Sequence, residues 1–172
     1  MKKTLIPIAL AFTLVALAPA AFGATATNPL NLSATVINNC TISTTPVGFG
    51  NYDPLSGAVN NAFGTVVITC TKSAPGVTIT LANGNNFVAN RRMSDGTNFM
   101  NYEIYQPPTN VAGVACTWVT PQRWGTAGAE IFTPTVPPSK AARTYNVCGQ
   151  IAAGQDLAAA TFTDTVVATV NF

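Results

Sequence analysis

Short stretches with a period of two, separated by turn residues, constrain the fold of this chain more than any other feature of its sequence. The last twelve residues, TFTDTVVATVNF (161–172), contain no glycine or proline and are rich in β-branched side chains. Alternate positions place one set of side chains on a single face: Phe162, Val166, Ala168, Val170 and Phe172. Asp164 on that face and Val167 on the opposite one are the exceptions. The pattern is typical of a β-strand with one buried face.

Similar segments recur along the chain. Strands are predicted for a short run after Cys40 and for residues 64–70, 77–81, 101–106 and 143–151. Turn sequences such as Asn83-Gly84 separate them. Residues 107–143 hold six prolines and both tryptophans, which is too much proline for regular structure. Short strands at intervals of about ten residues, without a convincing helical period, predict an all-β sandwich in one domain.

The N-terminus has the features of a secretory signal peptide. Lys2 and Lys3 precede the apolar run LIPIALAFTLVALAPAAFG, and small residues allow cleavage after Gly23 or after Ala26. No stop-transfer pattern follows, so we expect an exported mature chain without membrane insertion. Loss of the two lysines leaves six basic against six acidic side chains. This balance excludes a basic surface for nucleic acid or anionic membrane.

Four cysteines remain after the signal peptide: Cys40, Cys70, Cys116 and Cys148. An even number of cysteines in an exported chain that lacks histidine favours disulfide bonds over a metal site or catalysis. Three pairings are possible. We favour Cys40–Cys70 and Cys116–Cys148, because each closes a loop of about thirty residues and would contribute about 3–4 kcal/mol to stability.

Residues suited to catalysis are sparse. The chain has no histidine, its six acidic residues occur singly, and no Gly-x-Ser-x-Gly motif is present. General acid–base chemistry normally needs histidine or paired carboxylates, and a serine nucleophile needs a base. We therefore predict that the protein is not an enzyme and that it has no cofactor.

Two groups of side chains have a binding interpretation and a structural one. Arg91 and Arg92 could clamp a ligand, but hydrogen bonds to loop carbonyls or an ion pair at a strand edge explain them better. Four aromatic residues could form a sugar-stacking platform: Trp118, Trp124, Tyr102 and Tyr105. In a sandwich, such residues more often serve core and loop packing.

Four longer stretches carry more specific motifs: GFGNYDPLSG (48–57), GTVVITCTKSAPGVTITLANGNN (64–86), RRMSDGTNFMNYEIY (91–105) and GQIAAGQDLAAATFTDTVVATVNF (149–172). Together they resemble the spore coat protein U domain family, which includes Csu-type pilins of the archaic chaperone–usher pathway. Cys40 and Cys70 fall where that family places a disulfide. The stretch QPPTNVAGVACTWVTPQRWG (106–125) and Cys148 depart from the family pattern, so the second disulfide is inferred from the cysteine count and the oxidising compartment and not from the resemblance.

The resemblance implies an incomplete immunoglobulin-like β-sandwich that lacks its last strand and is completed by donor-strand addition. In such subunits a periplasmic chaperone first fills the vacant edge. The N-terminal arm of the next subunit then replaces it at the outer-membrane usher. Phe172 ends the sequence, so we expect the partner of the closing strand to come from another chain. The predicted acceptor edge comprises Phe162, Val166, Ala168, Val170 and Phe172. The predicted donor strand comprises Leu30, Leu32, Ala34 and Val36.

The expected organisation has three parts: a signal peptide (1–23), a donor arm (24–33) and a pilin-like β-sandwich (34–172). The expected function is that of a structural pilus subunit, exported through the periplasm to the cell surface and supporting attachment and biofilm formation. Its partners would be other pilin subunits, the periplasmic chaperone and the usher. The alternatives are a single-domain adhesin that binds a glycan or an abiotic surface, and a structural protein of a spore or cell coat.

Overall fold

The computed structural model describes residues 23–172, so the predicted signal peptide lies outside the described residues except for Gly23. The chain divides into two units, one ending at Thr35 and the other spanning Val36–Phe172. Residues 23–39 contain no strand. The large side chains of the predicted donor strand are solvent-exposed, at 82% for Leu30, 85% for Leu32 and 84% for Val36.

Within the described residues the larger unit contains seven strands and one short 3-10 helix. The strands are β1 (Cys40–Thr45), β2 (Asn60–Cys70), β3 (Thr78–Leu81), β4 (Arg91–Ser94), β5 (Phe99–Tyr105), β6 (Arg143–Ile151) and β7 (Ala168–Asn171), and the 3-10 helix is Gly128–Glu130. All predicted strands are present, although the closing one is shorter than expected. Strand β4 was not predicted, because its sequence RRMS shows no apolar alternation.

The strands form two sheets, one with the order β1-β2-β6-β5-β4 and the other with the order β3-β7. All pairs are antiparallel. A constant-type immunoglobulin domain has sheets A-B-E-D and C-F-G. Strands β1, β2, β3, β6 and β7 occupy the positions of A, B, C, E and F, and the β4–β5 hairpin occupies that of D. No counterpart of strand G occurs among residues 23–172. The predicted incomplete immunoglobulin-like fold is therefore confirmed.

The core lies between the two sheets and receives two aromatic side chains from the irregular segment before β6. Val66 and Ile68 of β2, Ile79 of β3 and Tyr145 of β6 are fully buried. Trp124 and Phe132 pack with ring centroids 4.9 Å apart, and the indole N–H of Trp124 donates to the carbonyl of Ile79 at 3.0 Å. Burial of each large apolar side chain contributes about 1.5–3 kcal/mol. The irregular segment is thus part of the core, which its proline content did not predict.

The closing segment, residues 161–172, keeps the predicted alternation of inward and outward side chains, but hydrogen bonds to a neighbouring strand do not run along its whole length. From residue 161 to 171, inward positions are half-buried and outward positions are exposed. Hydrogen bonding to β3 covers Ala168–Asn171 alone, and an isolated bridge joins Thr163 to Ser94. Phe172 departs from the pattern, since 53% of its surface is exposed.

Two disulfides are present, one between two strands and one between the irregular segment and a strand. Cys40–Cys70 links β1 to β2 at directly paired positions. Cys116–Cys148 ties the irregular segment to β6. These are the pairs favoured from loop length, and the described residues contain no free cysteine.

Candidate functional site

A groove opens between the edges of β1 and β7. Strand β1 hydrogen-bonds to β2 and β7 to β3, so each has a second edge without a strand partner in the described part of the chain. The groove between them has a volume of about 390 Å³. One wall is formed by residues 44–49, which continue from β1, and the other by residues 164–168, which lead into β7.

The floor of this groove is the apolar core itself. It consists of side chains from both sheets: Val66, Leu81, Met93, Tyr102, Ile104 and Val147. Five of these six side chains are already buried in the single chain. Met93 and the wall side chains of Val47, Phe49 and Val166 are only half-buried, so an added segment could bury them further. The groove therefore favours an occupant that presents apolar side chains on one face.

The groove continues beyond Phe49 as a second section of about 780 Å³. The two sections share Val47, Phe49 and Met93. Residues 47–55 and 156–162 border the second section, and Met100 and Ile151 contribute to its floor. Together the sections follow one path along residues 156–168, next to the free edge of the closing segment.

The predicted acceptor residues occupy different places along this path. Val166 and Ala168 line the first section, and Phe162 lines the second. Val170 pairs with Ile79 and packs on the core. Phe172 lines neither section. The structure thus brings three of the five residues to the groove. Val170 lies on the same face of the closing segment but outside the groove lining.

The opposite wall was not predicted from the sequence. Val47 and Phe49 alternate with glycines in the stretch 47–50, and both side chains pack against the core. A Cβ atom on Gly149 of β6 would lie 2.6 Å from Val47 Cγ1 and 2.8 Å from the Phe49 ring. Glycine at 149 therefore permits this wall to approach β6. The alternation of Val47 and Phe49 was the sequence signal that could have identified it.

Asp164, the exception in the apolar alternation, forms a network at the groove wall. Its Oδ2 accepts a hydrogen bond from the Tyr102 hydroxyl at 2.7 Å, and its Oδ1 accepts one from the Asn85 backbone N–H at 2.9 Å. A Cβ atom on Gly84, where φ is +89°, would lie 2.0 Å from Oδ2. Burial, and secondly the Asp164 hydrogen bond, raises the pKa of Tyr102, so the phenol remains a neutral donor. Asp164 therefore anchors the closing segment to the turn after β3 and to β5.

Arg91 lies beneath the groove and its hydrogen-bonding groups are used within the fold. It is fully buried, donates to the carbonyls of Leu81 at 3.1 Å and Trp124 at 2.7 Å, and pairs with Glu103 at 2.5 Å. Arg92 stacks its guanidinium 4.1 Å from the centre of the Phe99 ring. The structural interpretation of both arginines agrees with these contacts, and the clamp interpretation does not.

The four aromatic residues considered as a sugar platform are not presented on one surface. Trp124 is 0% exposed and Tyr102 is 8% exposed. Trp118 and Tyr105 are half-buried. Two members of the set therefore serve the core, as the packing interpretation predicted.

The described residues 23–172 contain no group of three or more His, Cys, Asp or Glu side chains placed to hold a metal ion. Over the same residues, no helix has the length and apolar character needed to cross a membrane.

The chain is similar to known proteins over most of its length. Residues 26–169 match the family model of the Spore Coat Protein U domain. The chain is 31% identical over 192 residues to Protein U of Myxococcus xanthus, an alignment that covers 100% of this chain and 98% of that protein.

A solved structure has the same fold. It is the CsuC–CsuE chaperone–tip adhesion subunit pre-assembly complex from archaic chaperone–usher Csu pili of Acinetobacter baumannii. One chain of that complex matches with a TM-score of 0.56 and 23% identity. The match covers 80% of this chain and 40% of that one. The comparisons indicate a structural, non-enzymatic protein. Because the family model matches most of its length, this chain belongs to the spore coat protein U domain family.

Proposed function

We propose that this protein is a structural subunit of a chaperone–usher pilus and assembles by donor-strand exchange. The observation that carries the proposal is the apolar groove between β1 and β7, in a sandwich whose strands correspond to A through F of the immunoglobulin fold. A strand added at the position of G would pair with the free edge of β7 and cover the groove floor. Strand addition to an open sheet edge is an established mode of protein recognition.

The proposed donor is the N-terminal segment of another copy, with Leu30, Leu32, Ala34 and Val36 directed into the groove. These residues alternate with polar ones, and all four are exposed in the single chain. Burial of two leucines and a valine would contribute about 5–9 kcal/mol before any ladder hydrogen bond forms. Whole domains are stable by only about 5–15 kcal/mol. Donor addition would therefore form a large part of the subunit's final stability.

The geometry of the free edges implies that the groove opens when the donor enters. Cα atoms of β1 and β7 come within 8 Å of one another. A strand hydrogen-bonded to both edges would hold them about 9.6 Å apart, twice the usual spacing of about 4.8 Å. The proposed periplasmic chaperone would keep the edges apart with a strand of its own until the donor replaces it.

Export and partners follow from the same proposal. The signal peptide would deliver the chain to the periplasm, where the chaperone binds, and the outer-membrane usher would add the subunit to a surface fibre. The Csu structure is a chaperone–subunit complex, which supports the chaperone as a partner. Attachment and biofilm formation are the proposed roles of the fibre.

The test is a single substitution in the donor. Leu32→Asp places a carboxylate where an apolar pocket is proposed, which strongly disfavours insertion. The variant should be exported and should bind its chaperone, yet should not extend fibres in electron micrographs of cells that also express the chaperone and usher. Ser33→Asp, on the opposite face of the alternation, is the matched control and should assemble normally.

Two results would contradict the proposal. Fibres of normal length from Leu32→Asp would show that this region is not the donor. Loss of chaperone binding by Leu32→Asp would place Leu32 in the subunit's own core. A coat component that assembles through the same groove is the second candidate, favoured by the family to which the chain belongs. Micrographs that show a continuous layer and no fibres would support it.

A further inference from the structure

A cavity separate from the groove lies in the irregular segment between β5 and β6. Its volume is about 300 Å³, and it shares no lining residue with either section of the groove. Exposed Pro108 and half-buried Pro121 form accessible apolar parts of its surface. The polar lining side chains are all uncharged: Gln106, Thr109, Asn110, Thr117, Thr120, Gln122 and Thr133. We call this cavity the loop pocket.

The covalent and hydrogen-bonded frame of the loop pocket holds it in one shape. Cys116–Cys148 fixes the segment to β6, and Asn146 Nδ2 donates to the carbonyl of Val114 at 2.7 Å. The Gln106 N–H donates to the carbonyl of Gln122 at 2.8 Å and joins the two ends of the loop. A pocket formed in advance loses little conformational entropy when a ligand binds.

One backbone position in the loop pocket is strained. Thr120 has φ of +50°, a left-handed conformation that is unfavourable for a β-branched residue. Such strain tends to occur at binding sites, where the surrounding structure enforces it. Thr120 belongs to the stretch 106–125, which departs from the family pattern.

The rim of the loop pocket offers polar groups that a ligand can reach. The side chains of Asn110, Thr117 and Thr133 line the pocket and are exposed. The Asn110 carbonyl accepts a hydrogen bond from the Thr135 N–H at 3.3 Å, which fixes the Asn110 backbone at the rim. An amide and two hydroxyls supply both donors and acceptors. They match a ligand whose own groups both donate and accept.

We propose that the loop pocket binds a neutral, polyhydroxylated ligand, namely a single uncharged sugar unit of a glycan. Hydroxyl groups of the sugar would pair with Asn110, Thr117 and Thr133, and its C–H face would lie on Pro108 and Pro121. A volume of about 300 Å³ is at the lower end of the range for small-molecule sites, which fits one ring and not an extended chain. With no charged side chain in the lining, an anionic sugar gains no ion pair. The ligand can bind an assembled subunit, because the pocket and the groove are separate.

The test uses the purified full chain, recovered either as a fibre or as a monomer, and saturation-transfer difference NMR. The probes are the methyl glycosides of glucose, mannose, galactose and N-acetylglucosamine, with N-acetylneuraminic acid as the anionic comparison. At least one neutral glycoside should bind, and the anionic sugar should bind more weakly. The double variant Asn110→Ala, Thr117→Val should bind that glycoside about tenfold more weakly. Thr97→Val, an exposed threonine in the β4–β5 turn, should bind like the wild type.

Three results would overturn the proposal: no binding of any neutral probe, stronger binding of the anionic sugar, or unchanged binding by the double variant. Should the double variant fail to fold, ligand-induced chemical-shift changes in the wild type decide the location. Changes at Thr133 and Gln122 support the loop pocket, and changes confined to other residues refute it. Neither result depends on fibre formation, so this test is independent of the assembly proposal.

Discussion

Strands β6 and β7 show how one local pattern leads to two different states. Both alternate apolar and polar residues, and both lie in antiparallel sheets. Strand β6 pairs with β2 on one side and β5 on the other, and its inward side chains are buried. Within the described part of the chain, strand β7 pairs with β3 alone, and its inward side chains are half-buried. The difference lies in the neighbours, so both edges of β6 are paired, whereas β7 keeps one edge without a strand partner among residues 23–172.

The largest effect should come from supplying a strand to the second edge of β7, since β6 already has a strand on each edge. A peptide of residues 24–36 should stabilise the purified chain by several kcal/mol, within the about 5–9 kcal/mol estimated for its apolar side chains. The measurement is the midpoint of thermal unfolding with and without the peptide. The same peptide carrying Leu30→Asp and Leu32→Asp is the control. Equal midpoints with both peptides would show that β7 is already complete.

The next largest effect should come from truncating an inward side chain, which should lower the free energy of unfolding more in β6 than in the segment that leads into β7. Tyr145→Ala in β6 removes a fully buried ring that packs on Phe132 with centroids 5.1 Å apart. It should lower the free energy of unfolding by about 3–5 kcal/mol. Val166→Ala at the groove wall should cost less than about 1 kcal/mol in the isolated chain, since Val166 is half-buried. Urea titration measures both, and similar losses would mean that the groove wall is already packed as a core.

An intermediate effect is expected at the network that anchors the closing segment. Asp164→Ala leaves the Tyr102 hydroxyl and the Asn85 N–H without their acceptor. Stability should fall by about 1–3 kcal/mol. Asp164→Asn keeps one acceptor oxygen and should lose less. Amide hydrogen exchange should show faster exchange in residues 161–171 than in β6, and equal acceleration in both would contradict a local anchor.

The smallest effect should appear at alkaline pH. Burial, followed by the Asp164 hydrogen bond, raises the pKa of Tyr102 above the ordinary value of 10.0. The unfolded chain then releases this proton first, so the stabilisation is complete below pH 10.0 and is lost as the pH rises above it. Burial also raises the pKa of Tyr145 in β6. Tyr102→Phe should reduce the alkaline loss without removing it, as measured by urea titration between about pH 8 and about pH 11. An unchanged pH profile would exclude Tyr102 as a contributor.

Local pattern was sufficient for much of the fold. The bounds of β6 agree with the predicted segment 143–151, because alternation and flanking turns are properties of neighbouring residues. The four motif stretches identified the family, and the spacing of the cysteines favoured the two disulfides present in the structure. The sequence also marked Asp164 as a polar residue on an apolar face.

Contacts between distant segments decided the rest. Pairing partners made β4 a strand despite its two arginines, and limited the ladder of the closing segment to Ala168–Asn171. The acceptors and donors that Arg91 and Asp164 require come from residues far along the chain, so their roles as anchors appear only after folding. The same holds for the second groove wall and the loop pocket. The sequence by itself determined the strands other than β4, because their formation depends on local alternation. Only the tertiary structure decided which edges stay open, because that depends on which strands lie side by side.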